Sequence, residues 1–219
     1  MVFIPGGDVV LGEDNPTEIW HRPRRERALD PFCIDRYEYP NRAGEQPRGD
    51  LGITEAVALC AEAGKRLCTV DEWERACRGT DRRRYSYGND RDPKRCNTPV
   101  ESSGEASTLP SAPSGSFAEC ASPEGVYDLN GSLSEWVADP WPDHGMAANT
   151  GTEEAEIDPL TKVLQAEGYR TGATLHNDKI MSIRGGTMWR GTFYGQDCTS
   201  SHSHLPGERF PDDGVRCCR

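Results

Sequence analysis

Gly125-Val-Tyr-Asp-Leu-Asn-Gly-Ser-Leu-Ser-Glu-Trp136 places oxygen ligands and apolar side chains in one short stretch. Asp128, Asn130 and Glu135 are separated by a turn at Gly131, so their side-chain oxygens and the carbonyls of the turn are available to one point. A hard cation such as calcium needs that kind of all-oxygen convergence. Val126, Leu129, Leu133 and Trp136 supply the apolar anchors that would tie the loop to a core. The same pattern also describes a polar turn between two buried segments, and the stretch alone does not separate the two readings.

The rest of the chain favours a cross-linked, loop-rich protein. Its 219 residues suffice for a substantial core, yet only 35% are hydrophobic and the chain carries 23 Gly and 16 Pro. Such a composition suits modest regular structure in which covalent or metal cross-links compensate for a thin core. A net charge of −11 argues against nucleic acid or an anionic membrane surface as a partner, since both call for a basic face. No apolar run approaches the ~18 residues of a membrane-spanning helix, so direct membrane insertion is not expected. Nine cysteines without a Cys-x-x-Cys pair favour disulfides over zinc ribbons or thioredoxin-type chemistry. The expected location is therefore extracytoplasmic: secreted, periplasmic or at the cell surface. Met1-Val-Phe-Ile-Pro-Gly-Gly7 lacks the basic start and apolar run of an export signal, which is expected to lie outside this stretch.

Read in order, residues 1 to 12 predict a short strand and a Gly turn, followed by a polar loop to about Leu29. Phe32 to Tyr39 alternates with strand period, with Phe32, Ile34 and Tyr37 as inward candidates. A helix capped by Thr54 is predicted to run to Ala63, with Ala56, Leu59, Cys60 and Ala63 on one face and Gly64 as its stop. Thr69-Val-Asp-Glu72 is a capping box, opening a second helix striped by Val70, Trp73 and Cys77 and ended by Gly79. Residues 82 to 117 read as ordered loop, and 142 to 180 as a long acidic connection with a short helix near Pro159 to Ala166. Ile180 to Trp189 reads as a strand running into a Gly corner. With another strand closing the chain at Gly214 to Arg219, the two terminal strands are expected to pair in one sheet. No repeat or flexible linker marks a second domain, so residues 1–219 read as one.

Several of these pieces together resemble the formylglycine-generating, or sulfatase-modifying factor, family. They are Val2 to Gly7, Phe32 to Glu38, Gly64 to Gly79, Tyr85 to Asn89, Gly125 to Trp136, Arg184-Gly-Gly-Thr187 and Gly214-Val-Arg216. The resemblance implies a single α+β domain of C-type-lectin-like fold, with little regular structure and calcium in its loops. In the family, the positions matching Asp128 and Glu135 bind calcium by side chain and those matching Gly131 and Leu133 by carbonyl. A second calcium site would begin at Asn97, with Glu101 or Glu105 as its carboxylate on a shorter loop. The resemblance also implies the bridges Cys60–Cys217 and Cys77–Cys198, each contributing ~2–4 kcal/mol. Cys96–Cys120 would make a further staple, leaving Cys33, Cys68 and Cys218 unassigned.

One departure bears on function. Family enzymes oxidise a substrate cysteine with a copper-binding cysteine pair just after the Arg-Gly-Gly corner, where two soft thiolates suit Cu(I). The matching positions here are Arg190 and approximately Gly195, so formylglycine generation is not expected. A relative of the family, a sulfoxide synthase, holds iron on three histidines. In this chain His202-Ser-His204 with Asp197 would make a two-His-one-carboxylate iron site, or the histidines are simply solvated loop residues. What remains is a set of loops bearing Trp189, Arg190, Phe193, Tyr194, Asp197, His202 and His204, the composition of a recognition surface. The favoured expectation is a non-catalytic, calcium-stabilised recognition domain binding a protein, peptide or glycan. The alternative is an iron- or copper-dependent oxidase or oxygenase with a rebuilt site.

Overall fold

The structure is a computed structural model that describes residues 1–16, 21–98, 110–140, 181–186, 196–205 and 207–219. Among the described residues there are two helices and ten short strands, the strands arranged as two four-stranded sheets and one hairpin. The first sheet has the order β1 (Val2–Ile4), β4 (Phe32–Ile34), β10 (Cys217–Cys218), β5 (Arg66–Leu67). Alternation decides its faces: Val2, Ile4, Phe32 and Ile34 are buried, as expected for Phe32 and Ile34, while Tyr37 is only half-buried. The two ends of the chain share this sheet but are not paired with each other as expected, because β4 lies between them and pairs with both.

The second sheet runs β8 (His202–His204), β7 (Met181–Arg184), β6 (Ser134–Pro140), β9 (Asp213–Val215). β6 and β9 are parallel, in the register Glu135↔Gly214, and β7 is antiparallel to β6, with Glu135↔Arg184. The loop read first in the sequence therefore delivers Glu135 into the centre of a sheet.

The remaining pair, β2 (Gly7–Leu11) and β3 (Arg25–Leu29), corrects the expectation of one strand followed by a polar loop to Leu29. Arg25 to Leu29 lacks an apolar alternation because only its tips are partly covered. The chain turns back and the backbone pairs without needing a hydrophobic face.

Helix α1 (Ile53–Glu62) buries Ile53, Ala56, Leu59 and Cys60. Its N-cap is Gly52 and not Thr54, and Ala63 is exposed, so the predicted stripe ends one turn early. Helix α2 (Val70–Arg78) has both halves of the capping box, and Gly79 closes it at φ 64°. Its apolar face, Val70, Trp73, Ala76 and Cys77, enters the core beside Leu129, Val126 and Val137.

The charged face of α2 is buried as well, against the hairpin. Glu74 accepts from Gly12 N at 2.5 Å and lies among Arg22 (3.3 Å), Arg25 (2.9 Å), Arg78 (3.2 Å) and Arg184 (3.5 Å). Asp71 takes further contacts from Arg22, Arg25 and Arg27. Burial opposes ionisation of Glu74, but the surrounding guanidinium groups win and hold its pKa at about 2.

Four disulfides close the fold: Cys60–Cys217, Cys77–Cys198, Cys96–Cys120 and Cys68–Cys218. The first three are those anticipated, and the fourth assigns two of the open thiols. Cys33 is left as a half-buried free thiol on β4.

Removing one partner of a buried ion cluster leaves the others uncompensated, so Glu74→Gln is expected to cost about 3–5 kcal/mol in urea unfolding with the disulfides intact. The pH dependence has a definite sign. The folded pKa is depressed, so the Glu74 contribution is present above its ordinary value of 4.5 and is lost as pH falls through about 2. Glu74→Gln should flatten that acid limb.

Candidate functional site

The Gly125–Trp136 loop is held from within by left-handed residues. Asp128, Gly131 and Ser132 have φ of 60°, 81° and 61°, which folds the stretch back on itself. At Gly131 a side chain would place its Cβ 2.3 Å from the carbonyl oxygen of Asn97, so only glycine fits there. Ser132 N donates to that same oxygen at 3.1 Å, and Leu133 N donates to Glu38 Oε1 at 2.9 Å.

Glu135 accepts from Trp73 Nε1 at 2.7 Å and is forked by Arg216, with Nε at 3.0 and 3.1 Å and Nη2 at 2.8 Å. Arg216 spends its other donors on the carbonyls of Asp35 (3.0 Å) and Tyr127 (2.8 Å). Glu38 and Asp128 share this neighbourhood. Burial, then the charges of Glu135 and Asp128, push the Glu38 carboxyl well above its usual range. Burial likewise raises Asp128 to about 6, although its Oδ2 accepts from Gly115 N at 2.7 Å and Arg216 lies nearby. Three carboxylates therefore face one guanidinium, and Glu38 Oε2 is buried without a hydrogen-bond partner.

An excess of buried carboxylate beside left-handed turn carbonyls suits the donor chemistry of a hard cation. Asp128 and Glu135 are the acidic side chains of the loop itself; both Glu135 oxygens accept from Arg216, Oε2 also from Trp73, and Asp128 Oδ2 accepts from Gly115 N. Asn130 departs from its expected role. Its Oδ1 accepts from Ser86 N at 2.8 Å and its Nδ2 donates to Gln196 O at 2.7 Å, so the side chain is a strut between two loops. Asn97 lends its carbonyl to Ser132 and its amide to Pro110 O at 3.0 Å, and Glu101 and Glu105 lie outside the described residues.

Trp189, Arg190, Phe193 and Tyr194 also lie outside the described residues, but the residues flanking them do not. Gly131 N donates to Gly185 O at 2.8 Å, and Asn130 holds Gln196 O. Adjacent residues of one loop thus fasten the chain just before and just after segment 187–195.

The anticipated triad of His202, His204 and Asp197 does not form. His202 and His204 share one face of β8, with ring centroids 5.5 Å apart. His204 Nδ1 contacts Asp213 Oδ2 at 3.0 Å, and its ring packs on Phe210 and near Trp136. Burial, with the charges of His204 and Arg184, lowers His202 to about 3, so this imidazole is neutral.

Asp197 turns instead to His21. Asp197 Oδ2 lies 3.1 Å from His21 Nε2, while Oδ1 accepts from the amides and hydroxyls of Thr199 and Ser200 at 2.8–3.0 Å. Glu13 Oε2 lies 3.4 Å from His21 Nδ1. Burial disfavours a charged His21, but its hydrogen bond to Asp197 and the two carboxylate charges outweigh burial and raise its pKa. Glu13 and His21 carry no spacing signal in the sequence, and the reading of residues 12 to 29 as plain polar loop missed them.

Against known proteins, residues 39–219 match the sulfatase-modifying factor enzyme 1-like domain. The chain belongs to this family. The formylglycine-generating enzyme of Thermomonospora curvata is 40% identical over 218 residues, a match covering 64% of this chain and 71% of that protein. Among solved structures, PvdO from Pseudomonas aeruginosa superposes with a TM-score of 0.69 at 20% identity, covering 99% of this chain and 92% of that one. Treponema denticola variable protein 1 does so with 0.70 at 15% identity, covering 100% and 94%. The architecture is thus the C-type-lectin-like α+β fold of the formylglycine-generating enzymes, as the sequence implied.

Within this family member, Arg216 is the sole guanidinium on the Glu38, Asp128 and Glu135 carboxylates among the contacts described. Arg216→Gln is expected to destabilise the protein by about 3–5 kcal/mol. Chemical unfolding monitored by Trp fluorescence would check it, since Trp73 and Trp136 both lie in the core.

Proposed function

We propose that the chain is a non-catalytic recognition domain on a formylglycine-generating-enzyme scaffold, working outside the cytoplasm and binding a protein, peptide or glycan through residues 187–213. The observation that carries this reading is the pinning of both flanks of segment 187–195 by Asn130 and Gly131. The segment so held contains Trp189, Arg190, Phe193 and Tyr194 and has no cysteine at the positions of the family's copper-binding pair. Eight of the nine cysteines are consumed in four disulfides, which supports an oxidising location. The remaining thiol, Cys33, sits on β4, in the other four-stranded sheet from the Gly185 corner.

Calcium, in this reading, would be held by the side chains of Asp128 and Glu135 and the carbonyls of Gly131 and Leu133. A bound cation would offset the buried carboxylate excess there and stiffen the loop that braces segment 187–195. The recognition itself would fall to the aromatic and Arg side chains, with a carboxylate-bearing or hydroxyl-rich ligand the natural match for Arg190 among aromatics.

A second reading, an iron- or copper-dependent oxidase or oxygenase, has one observation in its favour: His21 and two carboxylates stand at one end of the same segment. Metal analysis of the purified protein separates the two readings. Stoichiometric copper, or oxygen consumption by the iron-loaded protein, would favour the enzyme.

Three outcomes are expected. Chelation should lower the melting temperature by several degrees and added calcium restore it, with Asp128→Asn abolishing the response; a melting curve indifferent to both would remove calcium from the proposal. Arg190→Ala and Tyr194→Ala should each weaken binding to a glycan- or peptide-array hit about tenfold or more while leaving the melting curve in place. With copper supplied, a cysteine-containing sulfatase peptide should remain unconverted by mass spectrometry.

A further inference from the structure

We propose that Glu13, His21 and Asp197 form a binding site for one divalent transition-metal ion of the zinc and ferrous class. This inference stands apart from the recognition reading and from the calcium loop, and it uses none of their residues except Asp197, earlier grouped with His202 and His204.

The three side chains come from parts of the chain far apart in sequence. Glu13 follows β2 and bridges to Pro23, His21 begins the return to β3 and bridges to Ser200, and Asp197 opens the segment leading to β8. One ligand atom from each lies within 4.8 Å of the other two. That triangle is close to what three donors around a single ion require, needing only a modest contraction.

The carboxylates are already fixed for the task. Thr199 Oγ1 lies 2.9 Å from both Glu13 Oε1 and Asp197 Oδ1 and so ties the two acids to each other, Glu13 beside His21 Nδ1 and Asp197 beside His21 Nε2. Asp197 Oδ1 is also held by both Ser200 donors, so Oδ2 is the oxygen presented to His21. Such outer hydrogen bonds orient metal-binding carboxylates and histidines. His21 and Asp197 are 6% and 5% exposed and Glu13 is 24% exposed, so the cluster is enclosed on the protein side and opens to solvent past Glu13. Arg84 Nε lies 3.4 Å from Asp197 Oδ2 with its side chain 54% exposed, so an entering ion would have to displace it toward solvent.

The donor set selects the metal. One imidazole with two carboxylates suits zinc, ferrous iron or manganese, whereas calcium prefers oxygen throughout and Cu(I) prefers sulfur. Water would complete the coordination from the open side. A bound ion would cross-link the turn before β3 to the residues just after segment 187–195, beside the Cys77–Cys198 disulfide.

The test uses the full chain stripped of metal with a chelator and then titrated with zinc and with cobalt, in a large excess of calcium. Expected are one tight equivalent of either metal, a visible cobalt absorption band, and no displacement by calcium. Glu13→Gln should weaken cobalt binding roughly tenfold or more, His21→Gln should abolish the band, and His204→Gln should leave both unchanged. Glu13 is partly exposed, so its variant reports on the site even if His21→Gln folds poorly. The proposal is overturned if the wild-type chain binds neither zinc nor cobalt stoichiometrically, if calcium displaces them, or if Glu13→Gln binds cobalt as the wild type does.

Discussion

The pairing of Glu135 with Arg216 is the contact on which the rest of this structure depends. Arg216 is buried at the end of the chain, and its guanidinium reaches β6 through Glu135, the end of β4 through Asp35 O and the central loop through Tyr127 O. Trp73 of α2 closes the same group from the other side. A buried ion pair of this kind adds little net stability compared with apolar packing, but it tolerates few alternative arrangements. Each element that reaches Arg216 must present an oxygen at a set distance. That requirement ties the positions of two sheets and a helix to one another.

A chain with 35% hydrophobic residues has limited apolar area to bury, and the structure shows what takes its place. One set of restraints is covalent: four disulfides, three of them closing loops of more than a hundred residues. The other is ionic, at Glu74 with its guanidinium neighbours and at Glu135 with Arg216. Both restraints converge on α2, which carries Cys77, Trp73 and Glu74 within one helix. The outcome is a braced frame from which long connections extend. Gly131 and Asn130 are its contribution to segment 187–195, since they fasten the chain on both sides of it.

The candidate site divides along similar lines. Asp128, Glu135, Gly131 and Leu133 stand out in the sequence as candidates because oxygen-bearing and anchor residues alternate within a dozen positions. Asn130 looked like a further ligand, but its amide is claimed by Ser86 and Gln196, and that competition comes from distant parts of the chain. The grouping of His202 and His204 with Asp197 failed for the same reason. On an extended strand the two histidines do share a face, yet Asp213 and His21 take the partners that proximity in sequence had suggested. Glu38, Glu13 and His21 were invisible as site residues, because isolated charged residues in polar surroundings read as solvated.

By itself the sequence determined the features that depend on nearest neighbours: the capping box of α2, the Gly131 turn, the alternation at Phe32 and Ile34, and the family's order of motifs with its cysteine framework. These follow from backbone sterics, local hydrogen bonds and patterning, which act over a few residues. Only the tertiary structure decided which charged groups would be buried, and with whom. The polar face of α2 became an interior surface because a hairpin with little apolar pattern of its own packs over it. Ion pairs and metal ligands are chosen by distance in space, and separations as long as that between Glu74 and Arg184 leave no periodic trace in the chain.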